Sequence, residues 1–509
     1  MKDESNIMIM LKKILCSPLD ATFTRQVTVF GFFLIINLIS VILFNHFCTP
    51  LGYEYALFAE SLLKGTDYSG AYLGGSFGPS SFMPPLYSGL IYLSFRFFGI
   101  GTYLPVQLLQ ALLLALVPLF LLRIRKRLFP EFPGISWGVL LLPSILPFTI
   151  YAGYIGTPAI SIFLVTAGFS LFFDAAEKPS WFSLLFLGIL GGITVLIDPK
   201  PVMFFIIGFI WLLFRLHGRS YLRWLSGVLV ATILVSPWLY RNYRILGAFP
   251  IIRTGSGLNL WSGNNPLATG GIHRIHNLDG SNYLSPNNLL SPSEKETLRQ
   301  WYYTPMPPTK RMDWEMLYFD LLSSSEKETL RQLNEWQRDQ FLKRKAFASI
   351  RNWIQKDPFG YLKLKLKCLL FFWFGDAWNI QLEKILVSRG ANPKLAIFFI
   401  LTLIPSCLLL ILSIIGIIAA LCSKSIRPHA FLVLMVAVFW AGTYIITHGH
   451  TFNRYRVPLD PILFLFGLYG LTVIFRSRHG ISEMTFPPKT GTLANIEGSY
   501  GYKRNCRLE

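Results

Sequence analysis

Five basic side chains stand at the ends of apolar runs. Lys200 lies in LIDPKP, Arg241 and Arg244 in SPWLYRNYRILGAFP, and Arg454 and Arg456 in THGHTFNRYRVPLDP. Arginine presents a planar fork of donors that matches a phosphate. A helix N-terminus, such as the one expected at Val457, adds a positive dipole end. Together they describe an anion site at a membrane face, and an anion at that depth is a lipid phosphate or pyrophosphate. The plainer reading is snorkelling to lipid headgroups. The stretch TPLGYEYALFAESLLKGTDYSG, residues 49–70, supplies carboxylates. Glu54 lies among Tyr53, Tyr55 and Phe58, and Asp67 follows in LKGTDYSG. A placed carboxylate can take a proton from an attacking hydroxyl. A third stretch, GLNLWSGNNPLATGG at 257–271, reads as a tightly turning loop. It offers amide groups beside an aromatic face, the mixture that binds sugars. Asn259, Trp261, Asn264 and Asn265, with Tyr55, are the candidate sugar or acceptor contacts.

The elements that must position these residues are membrane helices. Of 509 residues, 52% are hydrophobic and only 15% charged, with mean hydropathy +0.46. A soluble chain carries about 25% charged residues, so the class is an all-α polytopic membrane protein. Runs long enough to span a bilayer lie at roughly 27–47, 103–123, 135–152, 158–174, 181–198, 199–216, 221–240, 394–421, 429–447 and 457–475. An eleventh candidate, 84–99, is short, opens on two prolines and contains Arg96. Basic residues collect on the cytoplasmic side. Laying 84–99 along the outer surface puts RIRKR (from Arg123), RLHGRSYLR, SKSIRPH, RSRHG and the N-terminus all inside. That assignment leaves 48–102 and 241–393 as outer segments, with a cytoplasmic, disordered tail at 476–509. The net charge of +20 then reflects topology and anionic lipid, and no nucleic-acid partner is expected.

Within the second outer segment LLSPSEKETLRQ (289–300) recurs as LLSSSEKETLRQ (321–332). Each copy carries Ser and then Glu three residues on, Ser293/Glu296 and Ser325/Glu328, a capping-box pattern. A single pair reads as a local duplication in an exposed loop, outside the chemistry. Cys16, Cys48, Cys368, Cys407, Cys422 and Cys506 form no disulfide or zinc pattern, and no cofactor is assigned. A divalent metal has no support in the sequence. His448 and His450 read as interfacial residues.

The order of these features resembles the GT-C glycosyltransferases of the protein O-mannosyltransferase and lipid A aminoarabinose-transferase type. YALFAESLLKG (55–65), MPPLYSGLIYLSFRFFG (83–99), PWLYRNYRILGAFPIIRTGSGLNLWSGNNPLATGG (237–271), DPFGYLKLKLKCLLFFW (357–373) and RYRVPLDPILFLFGLYG (454–470) carry it. The resemblance spans about 27–271 and 340–475. It implies one GT-C-like domain over 1–475, a bundle of about ten or eleven helices with juxtamembrane helices in the first outer loop. It also implies a sugar donor on a polyprenyl phosphate, an acceptor of unidentified class (protein, lipid or polysaccharide), and attack at the outer face, as in a bacterial inner membrane. Such a displacement inverts the anomeric centre. A carboxylate in the first outer loop acts as base, and basic groups meet the departing phosphate.

The sequence departs from that pattern at two places. The family Asp, four residues before the Tyr of Tyr-x-x-x-Ala, falls here on Leu51. Glu54 can replace it through a shifted loop, Asp67 or Asp198 can serve instead, or the chain can lack this chemistry and bind a lipid-linked sugar silently. The acidic group usual near Tyr151 and Tyr154 is also absent. A lipid-linked glycan transporter is the alternative from another class; its usual mark, two related halves, is missing from the sequence.

Overall fold

Long apolar runs leave the backbone only its own carbonyls as hydrogen-bond partners, so they coil into helices. The computed structural model describes residues 22–47, 50, 52–70, 78–145, 147–248, 252–266, 268, 322–374, 393–447 and 453–478. In chain order these form α1 (Phe23–Phe47), α2 (Tyr53–Leu63), a two-stranded ladder of β1 (Ser69–Gly70) and β2 (Gly78–Pro79), α3 (Pro85–Phe98) and α4 (Leu104–Leu128). Then come α5 (Pro158–Glu177), α6 (Trp181–Ile197), α7 (Val202–Leu213), α8 (Ser220–Leu246) and α9 (Ser256–Asn264). The C-terminal part holds α10 (Ser324–Gln332), α11 (Glu335–Lys356), α12 (Pro358–Phe374), α13 (Pro393–Cys422), α14 (Arg427–Thr447) and α15 (Asp460–Arg478). Six helices among the described residues are long and apolar enough to cross a bilayer: α1, α4, α5, α8, α14 and the run Val457–Arg476. The polytopic all-α class read from composition is therefore what the chain forms.

Four local readings change. The 135–152 run is no continuous helix but a chain of short turns, Gly134–Gly138, Val139–Leu141, Leu142–Ile145, Pro147–Thr149 and Ile150–Gly153. Pro143 and Pro147 remove two amide donors from that run. The 199–216 run shortens to α7, because Pro199 and Pro201 hold Asp198–Pro201 as a corner. The 257–271 stretch is not a turning loop: its first part is the helix α9. In the second copy of the duplication the reciprocal cap is Ser323 with Glu326, two residues before the expected pair. S-x-x-E occurs in both registers, and the one formed lets Leu330 bury. The first copy, Leu51, His448, His450 and the tail from residue 479 lie outside the described residues.

Segment 84–99 behaves as a surface helix with one inward stripe. In α3, Tyr87, Ile91 and Phe95 are buried while Leu93, Phe97 and Phe98 are exposed. The i, i+4 spacing places the buried three on one face, and that face packs on α2 and α4.

Two ion-pair groups mark the opposite ends of the bundle. At the C-terminal ends of α4 and α5, Asp174 takes Arg123 and also Arg127 (2.5 Å), and Arg127 reaches Glu177 at 3.5 Å. At the other end of α5, Thr157 bonds Asp198 at 2.7 Å. The RIRKR cluster and Asp198 thus face opposite ways, separated by the ~30 Å rise of a 20-residue helix.

Glycines set the closest helix crossings. A Cβ at Gly188 of α6 would overlap the Gly227 carbonyl oxygen of α8. A Cβ at Gly416 of α13 would overlap the Phe466 carbonyl oxygen of α15, with Gly470 pressed against α13 in return. Small residues let backbones approach where apolar burial alone gives helices no preference for each other over lipid. Gly188→Val is expected to destabilise by about 1–3 kcal/mol, the range for overpacking, read as a lower melting temperature in detergent. Gly31→Val, where nothing lies within 4 Å, leaves it unchanged.

Candidate functional site

The loop between α2 and α3 folds around one phenol. After α2, Gly65 (φ +71°) and Asp67 (φ +60°) turn the chain back through left-handed conformations. The turn buries Tyr68 against Phe58, ring on ring at 4.5 Å, and against the edge of Trp238 at 5.3 Å. The Tyr68 hydroxyl lies 2.9 Å from the Pro84 carbonyl, 3.1 Å from that of Met83 and 3.0 Å from Ser88 Oγ. With one proton it donates to one carbonyl at a time, and Ser88 can donate to it. Arg241 closes the loop from α8. Nη2 donates to the Tyr68 carbonyl at 2.8 Å and Nη1 to the Ser80 carbonyl at 3.0 Å, and the guanidinium lies over Trp238, 4.7 Å from the ring centroid.

Behind that loop stands a second phenol. Tyr55 sets its ring edge-on to Tyr87 at 4.9 Å, and Tyr87 in turn donates to Gln110 Oε1 at 2.8 Å. The Tyr55 hydroxyl makes no hydrogen bond among the described residues. Burial pushes its pKa well above the usual phenol range. Nearby Asp198 raises it further, Arg253 opposes, and Glu54 and Tyr68 add smaller upward contributions. Tyr55 therefore stays protonated at neutral pH and can only donate to a bound anion or carbonyl. The Glu54 carboxylate, on the next residue, also has no partner among the described residues.

Asp198 anchors the floor. It is buried at the C-terminal end of α6, where its carboxylate accepts from Thr157 Oγ1 (2.7 Å) and from the Lys200 amide (3.1 Å). The Lys200 ammonium lies 3.7 Å from Asp198 Oδ2 and over the Tyr455 ring, 4.8 Å from its centroid. Tyr455 stacks on Tyr444 at 4.6 Å, and its carbonyl accepts from the Trp440 indole. Residues from α2, the α5–α6 end, the 199–201 corner and the segment before α15 thus lie at one end of the bundle.

The candidate residues divide accordingly. Tyr55 lies within electrostatic reach of Asp198, Lys200 faces Asp198, and Glu54 adjoins Tyr55 on α2. Arg241 borders them through Tyr68 but gives its fork to backbone carbonyls. Arg456 is buried and bidentate to Asp460, at 2.8 and 3.1 Å, with a further bond to the Trp373 carbonyl. Arg244 lies on the exposed side of α8 against Tyr240. Arg454 opens a short helical turn, Asn453–Arg456, and its side chain is outside the described set. Asp67 is exposed on the outer rim of the loop.

The α9 residues hold a frame. Asn264 donates to the carbonyls of Leu260 and Ile446 and accepts from Tyr361. Asn265 closes the end of its own helix on Trp261 and Ser262, and Trp261 is buried with Lys345 over its ring. Asn259 is half-buried on the same helix. The N-cap of α9 is glycine, which has no side chain to cap with. Asp339 of α11 caps it from outside, accepting from the amides of Gly255 (2.9 Å) and Gly257 (2.7 Å). Lys365 of α12 meets the other end at the Gly263 carbonyl, 3.1 Å. A negative charge at the start and a positive charge at the end both oppose the helix dipole.

Sequence reasoning passed over Arg253. It lies in GAFPIIRTGSG, between α8 and α9, and its charge acts on both Tyr55 and Tyr68. Its signal was available: it is the next basic residue after Arg241 and Arg244 in the same outer stretch.

Residues 83–240 match the family of dolichyl-phosphate-mannose-protein mannosyltransferases. The matched part runs from the carbonyl that meets Tyr68 to the residue before Arg241, and so contains α3, the Asp198–Lys200 corner and most of α8. No curated protein matches the chain. Among solved structures, ArnT from Cupriavidus metallidurans bound to undecaprenyl phosphate is similar at 13% identity and a TM-score of 0.36, covering 88% of this chain and 78% of that one. The family match supports the GT-C resemblance.

Arg241→Ala removes two charge-assisted bonds from the loop, each about 1.5–3 kcal/mol. The expected outcome is faster amide exchange over 53–80, with α4 and α5 unchanged. Equal protection in both proteins would rule out the clamp.

Proposed function

We propose that the protein is a GT-C membrane glycosyltransferase that moves a sugar from a polyprenyl phosphate to an acceptor at the outer face. One observation supports this most: the Tyr55 phenol, with no hydrogen bond among the described residues and next to Glu54 on α2, lies within electrostatic reach of the buried Asp198 that faces Lys200, at the end of the bundle away from RIRKR. The matching family is described by a lipid-phosphate sugar donor and a protein acceptor, and the membrane spans suit a donor that reaches its enzyme through lipid.

In this reading Glu54 takes the proton from the acceptor hydroxyl as its oxygen attacks the anomeric carbon. The bond from that carbon to the phosphate oxygen breaks, and the electron pair leaves on the phosphate. Attack from the opposite side inverts the centre. The Lys200 ammonium meets the developing charge, and Asp198 holds Lys200 at that depth. Asp198 suits this role better than proton transfer, because its oxygens already serve Thr157 and Lys200. Tyr55, kept neutral, donates a hydrogen bond to sugar or phosphate. Charge placed in advance needs no reorganisation when the bond breaks.

Transfer of a labelled sugar from a polyprenyl-phosphate donor, by membranes carrying the overexpressed protein, tests the assignment. Glu54→Gln is expected to lower kcat about 10²- to 10⁴-fold, the worth of a placed base. Asp67→Asn, at an exposed position, leaves the rate within about twofold. A Glu54→Gln protein that transfers at the wild-type rate would remove Glu54 from the mechanism. The absence of transfer from any such donor would remove the reaction.

A further inference from the structure

We infer that Arg253 is a cation that receives the phosphate, by a fork-shaped contact that no other described basic side chain of the site has to offer. The inference rests on the function proposed above and assigns a residue to its anion.

The other candidate cations with described side chains each have a partner. Lys200 faces Asp198, Arg241 donates to two carbonyls, Arg244 meets Tyr240, and Arg456 is bidentate to Asp460. Arg253 differs. Its Nε donates to the Thr254 carbonyl at 3.2 Å and its plane lies over Phe82, 5.5 Å from the centroid. Neither Nη has a partner among the described residues. A half-buried guanidinium with two free donors is a cost unless something arrives to pair with it.

The backbone beneath it is held from three sides. Trp238 Nε1 donates to the Ile252 carbonyl at 2.7 Å, and the Thr254 amide donates to the Ser81 carbonyl at 3.2 Å. The Thr254 hydroxyl donates to Glu335 Oε1 at 2.5 Å. Gly255 has φ +99°, and a Cβ there would stand 2.9 Å from Phe82 and 3.3 Å from Arg253 Nη2. Glycine at this position meets both needs, a left-handed backbone and room for the guanidinium. The fork is thus fixed in place before any ligand binds, which lowers the cost of binding.

Its neighbours select the ligand. The charge of Arg253 is felt at Tyr55 and at Tyr68. Tyr55, a phenol with no hydrogen bond among the described residues, is near enough to feel that charge and can add a donor. Two guanidinium donors and a phenol suit a tetrahedral oxyanion, and the shared chemistry is a phosphate group, borne by a lipid or free.

The test measures binding of undecaprenyl phosphate, undecaprenol and inorganic phosphate to the purified full-length protein, with melting temperatures recorded for every variant. The wild type is expected to prefer undecaprenyl phosphate over undecaprenol. Arg253→Ala reduces that preference about 10- to 100-fold, the worth of one or two charge-assisted hydrogen bonds, and leaves undecaprenol binding unchanged. Arg253→Lys restores part of it, as a point charge without the fork. Arg244→Ala leaves it intact. Competition by inorganic phosphate in the wild type but not in Arg253→Ala supports the site as one for phosphate from either source. Lack of competition, with the lipid preference lost in Arg253→Ala, supports it as one for lipid-borne phosphate alone. An Arg253→Ala protein that keeps the full wild-type preference overturns the inference and leaves the proposed function standing. A wild type with no preference overturns both.

Discussion

A guanidinium that gives both terminal nitrogens to backbone carbonyls holds this structure's working end together. Arg241 reaches from the end of α8 to Tyr68 and Ser80, two points of a loop far away in the chain. Those carbonyls lie in a short irregular segment with little secondary structure to satisfy them. Charged donors bond them more strongly than neutral ones. Once the loop is pinned, α2 lies against α3, and Tyr55 and Glu54 have a fixed relation to the corner at Asp198. The loop is a site component only because a membrane helix carries the clamp.

The same test, whether a polar side chain is already paired, sorts the rest of the site. Buried charges that serve architecture have their partners inside the chain: Arg456 with Asp460, Asp339 with the start of α9, Asp174 with Arg123 and Arg127. Each pairing offsets a desolvation cost that an isolated ion could not bear. Glu54, Tyr55 and Arg253 lack such partners among the described residues, although they share one region. Unpaired polar groups in one place mark where a ligand completes the bonding. The Asp198–Lys200 pair lies between the two groups, since the ammonium has one carboxylate oxygen at 3.7 Å and one ring face and keeps capacity for an anion.

Much of the candidate site could be read from residue types. Glu54 is a carboxylate among aromatic residues, and Lys200 is a cation between two prolines at the end of apolar runs. Both features are local; in the fold Lys200 faces Asp198 and Glu54 adjoins Tyr55. Arg456 and the Asn-rich stretch misled for one reason: composition reports which groups exist, not which partners they find. Asp460 is four residues after Arg456, one helical turn away, so that pairing was legible from spacing once the helix was extended back. The partners of Asn264 are Ile446 and Tyr361, distant in the chain, and no local pattern announces them.

By itself the sequence determined that the chain is a helical membrane protein, where most of its spans lie, and that a helix opens at the prolines of 84–99. Apolar run length, charge depletion and proline placement are properties of neighbouring residues, and lipid enforces them strictly. Tertiary structure alone decided which cations remain available to a ligand and which acid stands beside the buried phenol. Those outcomes depend on distances between segments a hundred or more residues apart. A side chain's charge is encoded at its own position, whereas its freedom to bind is set by what the fold places next to it.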